Sequence, residues 1–359
     1  MSVVLSRVVI HELVKEQHED IQPSKIKEHT LPVDNETVQT LVDGIVDLYG
    51  KKNSSAQYGV FETGEGRGNF PDEFDLYRNE LPSDEAFLSL TTRAMTELYG
   101  KASNNTPASG GHILFADYVQ GGVRYFLSAM VKQKPGYKIT GELKVEDLEY
   151  IDLSRLHQAA KISFSKYEEF FLASQAEQYD INYLSFVSPR NHNKTAGYFI
   201  SAFGCKAGSP SAKATQAVVS ESQKFFNENE QLAEHSPTIS KKLYEYLDDK
   251  QHSGDPAKLS EIEKIAREFF PAEDADELAE RFVEHLNSDA VAIPNEFSVN
   301  KSKLHNMTHI VYKGDEFQLT LDKDDIGQDE DAKFYYDGDR LTITDLPPEF
   351  KSMLDEHFK

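Results

Sequence analysis

Between Asp180 and Glu221 the chain runs for forty residues without a single carboxylate, and in that gap it carries Arg190, Lys194, Lys206 and Lys213, with His192 among them. At the chain's own average acid content, roughly seven acidic residues would be expected over such a stretch. Cations at loops and helix starts suit one chemistry above all. They meet phosphate oxygens, with backbone N–H groups of a helix N-terminus pointing the same way. Lysine in a first helical turn also opposes the helix dipole, so its placement there suggests an anion. The alternative is that these cations pair with acidic side chains from elsewhere in the chain. A second cluster, Lys132, Lys134 and Lys138, surrounds Pro135-Gly136-Tyr137, and Tyr137 among lysines could stack on a base. Its plainer reading is a solvated hairpin end.

Other constellations carry less. Glu142-Leu143-Lys144 has the Glu-x-Lys spacing of metal-dependent nucleases. With Asp117 it could hold a magnesium ion while Lys144 orients water. Gly64-Glu65-Gly66-Arg67-Gly68 lacks the Lys-Ser/Thr of a phosphate loop. His305 and His309 stand four apart with no third ligand indicated, and Cys205, the only cysteine, reads as a buried thiol. One cysteine excludes an intrachain disulfide and a cysteine-based zinc site.

These cations sit in a strongly acidic body. The 359 residues hold 61 Asp+Glu against 38 Lys+Arg, a formal charge of −23 that repels polyanions everywhere else. Residues 205–359 contribute −15 of it, most densely around Asp322–Asp331. That half could instead dock a basic partner. No apolar run is long enough to span a bilayer, and the N-terminus lacks the pattern of a signal peptide, so a cytoplasmic protein with no membrane contact is expected.

The elements that must position these residues read as follows. Val3–Ile10 forms an opening strand, Glu36–Tyr49 a helix stopped by Gly50, and Tyr58–Phe61 a short strand. Pro71–Leu81 and Ser83–Tyr99 read as helices, the second closed by Gly100. Gly111–Val119 and Val123–Val131, joined by Gln120-Gly121-Gly122, form a hairpin. Tyr150–Leu153, Ala160–Tyr167 and Ile181–Val187 read as further strands, and Asn193–Phe203 as a helix closed by Gly204. Ser209-Pro210 then caps a helix to about Ala233, followed by helices over Thr238–Leu247, Leu259–Phe269 and Ala275–Leu286. Four short strands, at His309–Tyr312, Phe317–Leu321, Phe334–Tyr336 and Leu341–Ile343, precede a helix after Pro347-Pro348. The fold class expected is α+β, in three parts. Residues 1–205 form a mixed domain with a mainly antiparallel sheet, 206–300 a helical segment, and 301–359 small hairpins plus a terminal helix.

Tyr183-Leu184-Ser185-Phe186-Val187 followed by Arg190, Lys194, Phe199 and Phe203-Gly204 resembles the centre of the bacterial nucleoid-associated protein family of the NdpA/YejK type. Thr92-Arg93, Gly110–Phe115, Tyr150–Leu153, Phe317–Leu321, Leu341–Ile343 and Leu346-Pro347-Pro348 agree with it in order along nearly the whole chain. The resemblance implies a cytoplasmic protein of the nucleoid credited with DNA binding. It hands over no catalytic motif, and neither an enzyme activity nor a cofactor is expected. The function expected is phosphate-directed binding of double-stranded DNA with low sequence preference, through Arg190, Lys194, Lys206 and Lys213, joined by Lys132 and Lys134. Two alternatives stand beside it: an acidic adaptor that joins the nucleoid through a basic or DNA-processing protein, and a metal nuclease. Amphipathic faces within 210–290 could support a homo-oligomer.

Overall fold

The protein is seen here as a computed structural model that describes residues 3–51, 54–64, 67–79, 83–178, 181–187, 197–207, 211–329 and 331–358. Strand β1 (Val3–Leu13) alternates buried and exposed residues along its first half. Helix α1 (Glu36–Leu48) begins where Asn35 accepts hydrogen bonds from the backbone N–H of Thr37 and Val38, and it buries Val42, Ile45 and Val46. Strand β2 (Ala56–Phe61), helix α2 (Phe70–Asn79) and helix α3 (Asp84–Ser103) follow. Gly100 does not close α3. The buried stripe Ala94, Leu98, Ala102 continues past it, and the helix ends at Asn104.

Strands β3 (Gly111–Gln120) and β4 (Val123–Val131) form the expected hairpin, with Gly121 and Gly122 both at positive φ. Next come β5 (Gln133–Ile139) and β6 (Val145–Ile151), paired only with each other. Pro135 and Gly136 therefore lie inside a strand rather than at a hairpin end. Strand β7 (Gln158–Ser163) is shorter than its alternating pattern suggests. The Ser163 side chain caps helix α4 (Phe164–Leu172), and the chain turns helical where Phe164 and Tyr167 become buried on one face. A single turn α5 (Gln175–Gln178) leads to β8 (Leu184–Val187), helix α6 (Gly197–Ala202) and an unforeseen strand β9 (Cys205–Ala207).

These strands form one antiparallel sheet in the order β1-β3-β4-β7-β8-β2-β9. One face is covered by an aromatic core, in which Phe61, Phe70, Phe74, Phe126, Tyr167 and Tyr183 meet largely edge to face. The other face packs Tyr58, Tyr118, Leu127 and Val187 against α1. Gly204 links α6 to β9 at φ +62, where a Cβ would stand 2.0 Å from the Arg67 carbonyl oxygen.

Helices α7 (Ser211–Asn227) and α8 (Ser236–Ser253) open the helical part. A two-stranded pair, β10 (Ala257–Lys258) with β11 (Glu296–Phe297), brackets α9 (Leu259–Arg267) and α10 (Ala275–Leu286). Together with α11 (Lys301–Thr308) they surround a second core built on Phe226, Phe282, Leu243 and Ile262. The chain ends in the β12 (His309–Lys313) and β13 (Gln318–Asp322) hairpin, then a small sheet of β14 (Ile326–Gly327), β15 (Phe334–Tyr336) and β16 (Leu341–Ile343), and finally α12 (Pro348–His357). The class is α+β.

Candidate nucleic-acid interface

The carboxylate-free stretch runs from β8 through α6 and β9 into α7 and is described in part. Arg190, His192 and Lys194 lie outside the described residues, in the segment that leaves β8 at Val187 and enters α6 at Gly197. Lys206 stands in β9, the last strand of the sheet, its backbone opposite Val60 of β2. Lys213 falls in the first turn of α7, as expected. The Ser209-Pro210 cap likewise falls outside the described residues.

What the structure adds is a pair of lysines from the preceding elements. Lys161 on β7 lies opposite Ser185 on β8, beside Tyr58 and Tyr125 on the same sheet face. Its ammonium is 4.4 Å from the Tyr49 ring centroid and 5.0 Å from that of Tyr125, and it pairs with Asp289 at 2.8 Å. Lys166, in the first turn of α4, donates to the Asp289 carbonyl oxygen at 2.6 Å. Burial lowers its pKa; Asp289 opposes that, and the positive charges of Lys213 and Lys161 lower it further. The charges of Lys161 and Lys213 thus both reach Lys166. Ser163, Asn182 and Ser185 line the same small cleft. Asp289 is the carboxylate set into it, kept ionised below its usual range against its own burial by Lys161 and Lys166.

Sequence reasoning missed Lys161 and Lys166. Read as strand throughout, 160–167 sends residue 166 to the face opposite residue 161. The turn into α4 brings the two to one anion. The available signal was Ser163 three residues before Lys166, the spacing of an N-cap serine.

The second lysine cluster is engaged within the protein. Lys132, half-buried with its pKa lowered by burial, donates to Ser109 Oγ at 2.8 Å. Lys134 pairs with the buried Asp152 at 2.7 Å, and Lys138 with Glu146 at 3.2 Å. The hydrogen bond from Lys134, followed by that from Ser154, holds the Asp152 carboxyl far below the usual range.

The residues of the nuclease reading do not come together as a metal site. Asp117 is fully buried; it accepts from Arg124 Nε at 3.0 Å and Nη2 at 2.6 Å, and the Tyr77 hydroxyl also donates to it. Glu142 stands at the exposed tip of the β5–β6 ribbon, paired with Lys144 at 2.7 Å. His305 closes on His309, ring centroids 4.1 Å apart, and His309 Nδ1 contacts Thr308 Oγ1 at 2.8 Å. Cys205 is buried, which raises its thiol pKa well above the ordinary value. No helix among the described residues is long and apolar enough to cross a membrane.

Residues 9–351 match the family described as nucleoid-associated protein YejK. A nucleoid-associated protein of Azotobacter vinelandii is 24% identical over 323 residues, 89% of either chain. One from Pseudomonas entomophila is 23% identical over 322 residues, again 89% of each. One from Aliivibrio salmonicida is 22% identical over 356 residues, 99% of this chain and 97% of its own. With the family pattern covering all but its first and last few residues, this chain belongs to the bacterial nucleoid-associated protein family typified by YejK.

Proposed function

We propose that the chain binds double-stranded DNA directly and without catalysis, through phosphate contacts from Arg190, Lys194, Lys206 and Lys213, with Lys166 at the margin of the same surface. The family is one of nucleoid-associated proteins, whose place is the bacterial cytoplasm at the nucleoid. One observation carries the reading. In a chain of net charge −23, residues 181–220 hold no carboxylate and carry Arg190, Lys194, Lys206 and Lys213. Lys161 and Lys166 are already engaged by Asp289, so the phosphates are met by the cations of the carboxylate-free segment beside them. Lys132 and Lys134, bound to Ser109 and Asp152, contribute little to such a surface.

Four phosphate contacts give a log–log salt slope of about −3.6 on duplex DNA. The Arg190→Glu/Lys194→Glu protein is expected to bind at least tenfold more weakly, with a slope shallower by about 2, across duplexes of any sequence. Unchanged retention on filters through a salt series overturns the assignment. The −15 charge of residues 205–359 favours a second reading, an adaptor recruited through a basic protein. Retardation of naked duplex by the purified chain at physiological salt separates the two.

A further inference from the structure

The β5–β6 ribbon leaves apolar side chains in water at its outer end. Tyr137, Ile139, Leu143 and Val145 are 78%, 72%, 85% and 67% exposed. Tyr137 stands opposite Asp147, Ile139 opposite Val145 and Pro135 opposite Glu149, so these six side chains share one face. Open apolar groups clustered on a strand pair with no other neighbour in its sheet mark an interaction surface. The opposite face is partly closed by the ribbon itself. There the Tyr150 ring lies over Gly136, where a Cβ would stand 2.8 Å from its Cε1.

The two edges of the ribbon differ. The Asp152 N–H donates to the Lys132 carbonyl at the base, and the Thr140 N–H to the Lys144 carbonyl at the tip. In an antiparallel pair, hydrogen-bonded and non-hydrogen-bonded positions alternate. The even-numbered residues therefore bond across the ribbon, and the odd-numbered ones turn their N–H and C=O groups outward. On β5 that outward edge includes Pro135, which has no N–H to offer. On β6 it consists of Val145, Asp147, Glu149 and Ile151, with every donor present. Among the described residues no further strand pairs with β6. The β6 edge is thus open and the β5 edge blunted.

Charge selects what the open edge accepts. The ribbon's lysines are engaged, Lys134 with Asp152, Lys138 with Glu146 and Lys144 with Glu142. Asp147 and Glu149 have no ion-pair partner among the described residues. We infer that β6 receives an extended, basic segment of another protein as a third, antiparallel strand. Lysine or arginine then lies opposite Asp147 and Glu149, and an apolar side chain opposite Val145 extends the row that Ile139 begins. A second copy pairing through β6 would set acidic residues against acidic ones. Nucleic acid would be repelled by the same two carboxylates. None of these residues belongs to the carboxylate-free segment, so strand docking and DNA retention are read independently.

The test is fluorescence anisotropy of a labelled peptide added to the full chain, at about 0.05 M and about 0.5 M sodium chloride. The peptide carries the strand Lys-Val-Lys-Thr-Val, whose lysines fall opposite Glu149 and Asp147 and whose last valine falls opposite Val145. Its counterpart has glutamate for both lysines. The wild type is expected to bind the lysine peptide about tenfold more tightly than the glutamate one, and more weakly as salt rises. Asp147→Lys/Glu149→Lys is expected to reverse that preference. Val145→Pro keeps the ribbon's own hydrogen bonds, removes one outward N–H and is expected to weaken binding about tenfold. All three positions are exposed, so circular dichroism and the melting temperature should not change. A wild-type chain that binds neither peptide overturns the inference. So does a preference that survives Asp147→Lys/Glu149→Lys, or binding that Val145→Pro leaves untouched.

Discussion

His11 shows what a single buried side chain can impose. It is almost fully enclosed on β1; its Nδ1 accepts from the Lys27 N–H at 3.1 Å, and its Nε2 lies 3.1 Å from Thr91 Oγ1. Thr91 donates to the Leu88 carbonyl, so the neutral Nε2–H tautomer satisfies every partner. A second proton on Nδ1 would face a donor, and burial lowers the pKa from 6.5 to about 4. Above the unfolded value near 6.5 both states are neutral and nothing is lost. As pH falls below it the unfolded chain takes up the proton first, so stability drops by up to about 1.4 kcal/mol per unit, and this contribution levels off near pH 4. Urea melts should therefore show the wild type losing about 2 kcal/mol more than His11→Gln between pH 7 and pH 5. Equal losses would remove the proton argument. Sequence did not reveal this role. Nor did it reveal that Asp117 is held by Arg124 and Tyr77, because both depend on residues brought from other elements.

At the scale of elements, sequence was most readable where periodicity and punctuation agreed. The Gly121-Gly122 hairpin, the helix that starts at Glu36 and the helix Ala275–Leu286 all emerged as read. It was least readable at the β5–β6 ribbon. That ribbon has no buried face to impose alternation, and Pro135 and Gly136 argue against a strand in its middle. The ribbon is held at its base, where the Asp152 N–H donates to the Lys132 carbonyl, and its remaining lysines pair along it. Its burial therefore adds little to stability. Removing Pro135–Glu149 and joining Lys134 to Tyr150, which lie directly opposite each other, through Asn-Gly should leave the melting temperature within about 2 °C. DNA retention should also be unchanged. A large loss of either would show that the ribbon acts beyond its own strands.

At the scale of the whole molecule, sequence suggested parts but not what joins them. The sheet and the helical core meet through buried polar groups more than two hundred residues apart. Asn287 accepts the Ala56 N–H at 2.6 Å and donates to the carbonyls of Ala56 at 3.0 Å and Ile293 at 2.6 Å. The Tyr58 hydroxyl donates to the Asn287 carbonyl at 2.7 Å, and Ser55 Oγ to Asn295 Oδ1 at 3.0 Å. Lys161 and Lys166 close on Asp289 two residues further on. Such contacts leave no mark in hydrophobic periodicity, since asparagine and aspartate after a helix read as an ordinary loop. They make the junction stiff only as a set, because a buried donor without its partner costs about 1–3 kcal/mol. Calorimetry of the wild type should therefore give one transition for residues up to Thr308. Asn287→Ala/Asp289→Ala should lower it and split it in two, as the sheet and the helices, each retaining its own apolar core, begin to melt separately. A variant that still melts in a single unshifted step would mean that apolar packing, not this polar seam, couples the two cores.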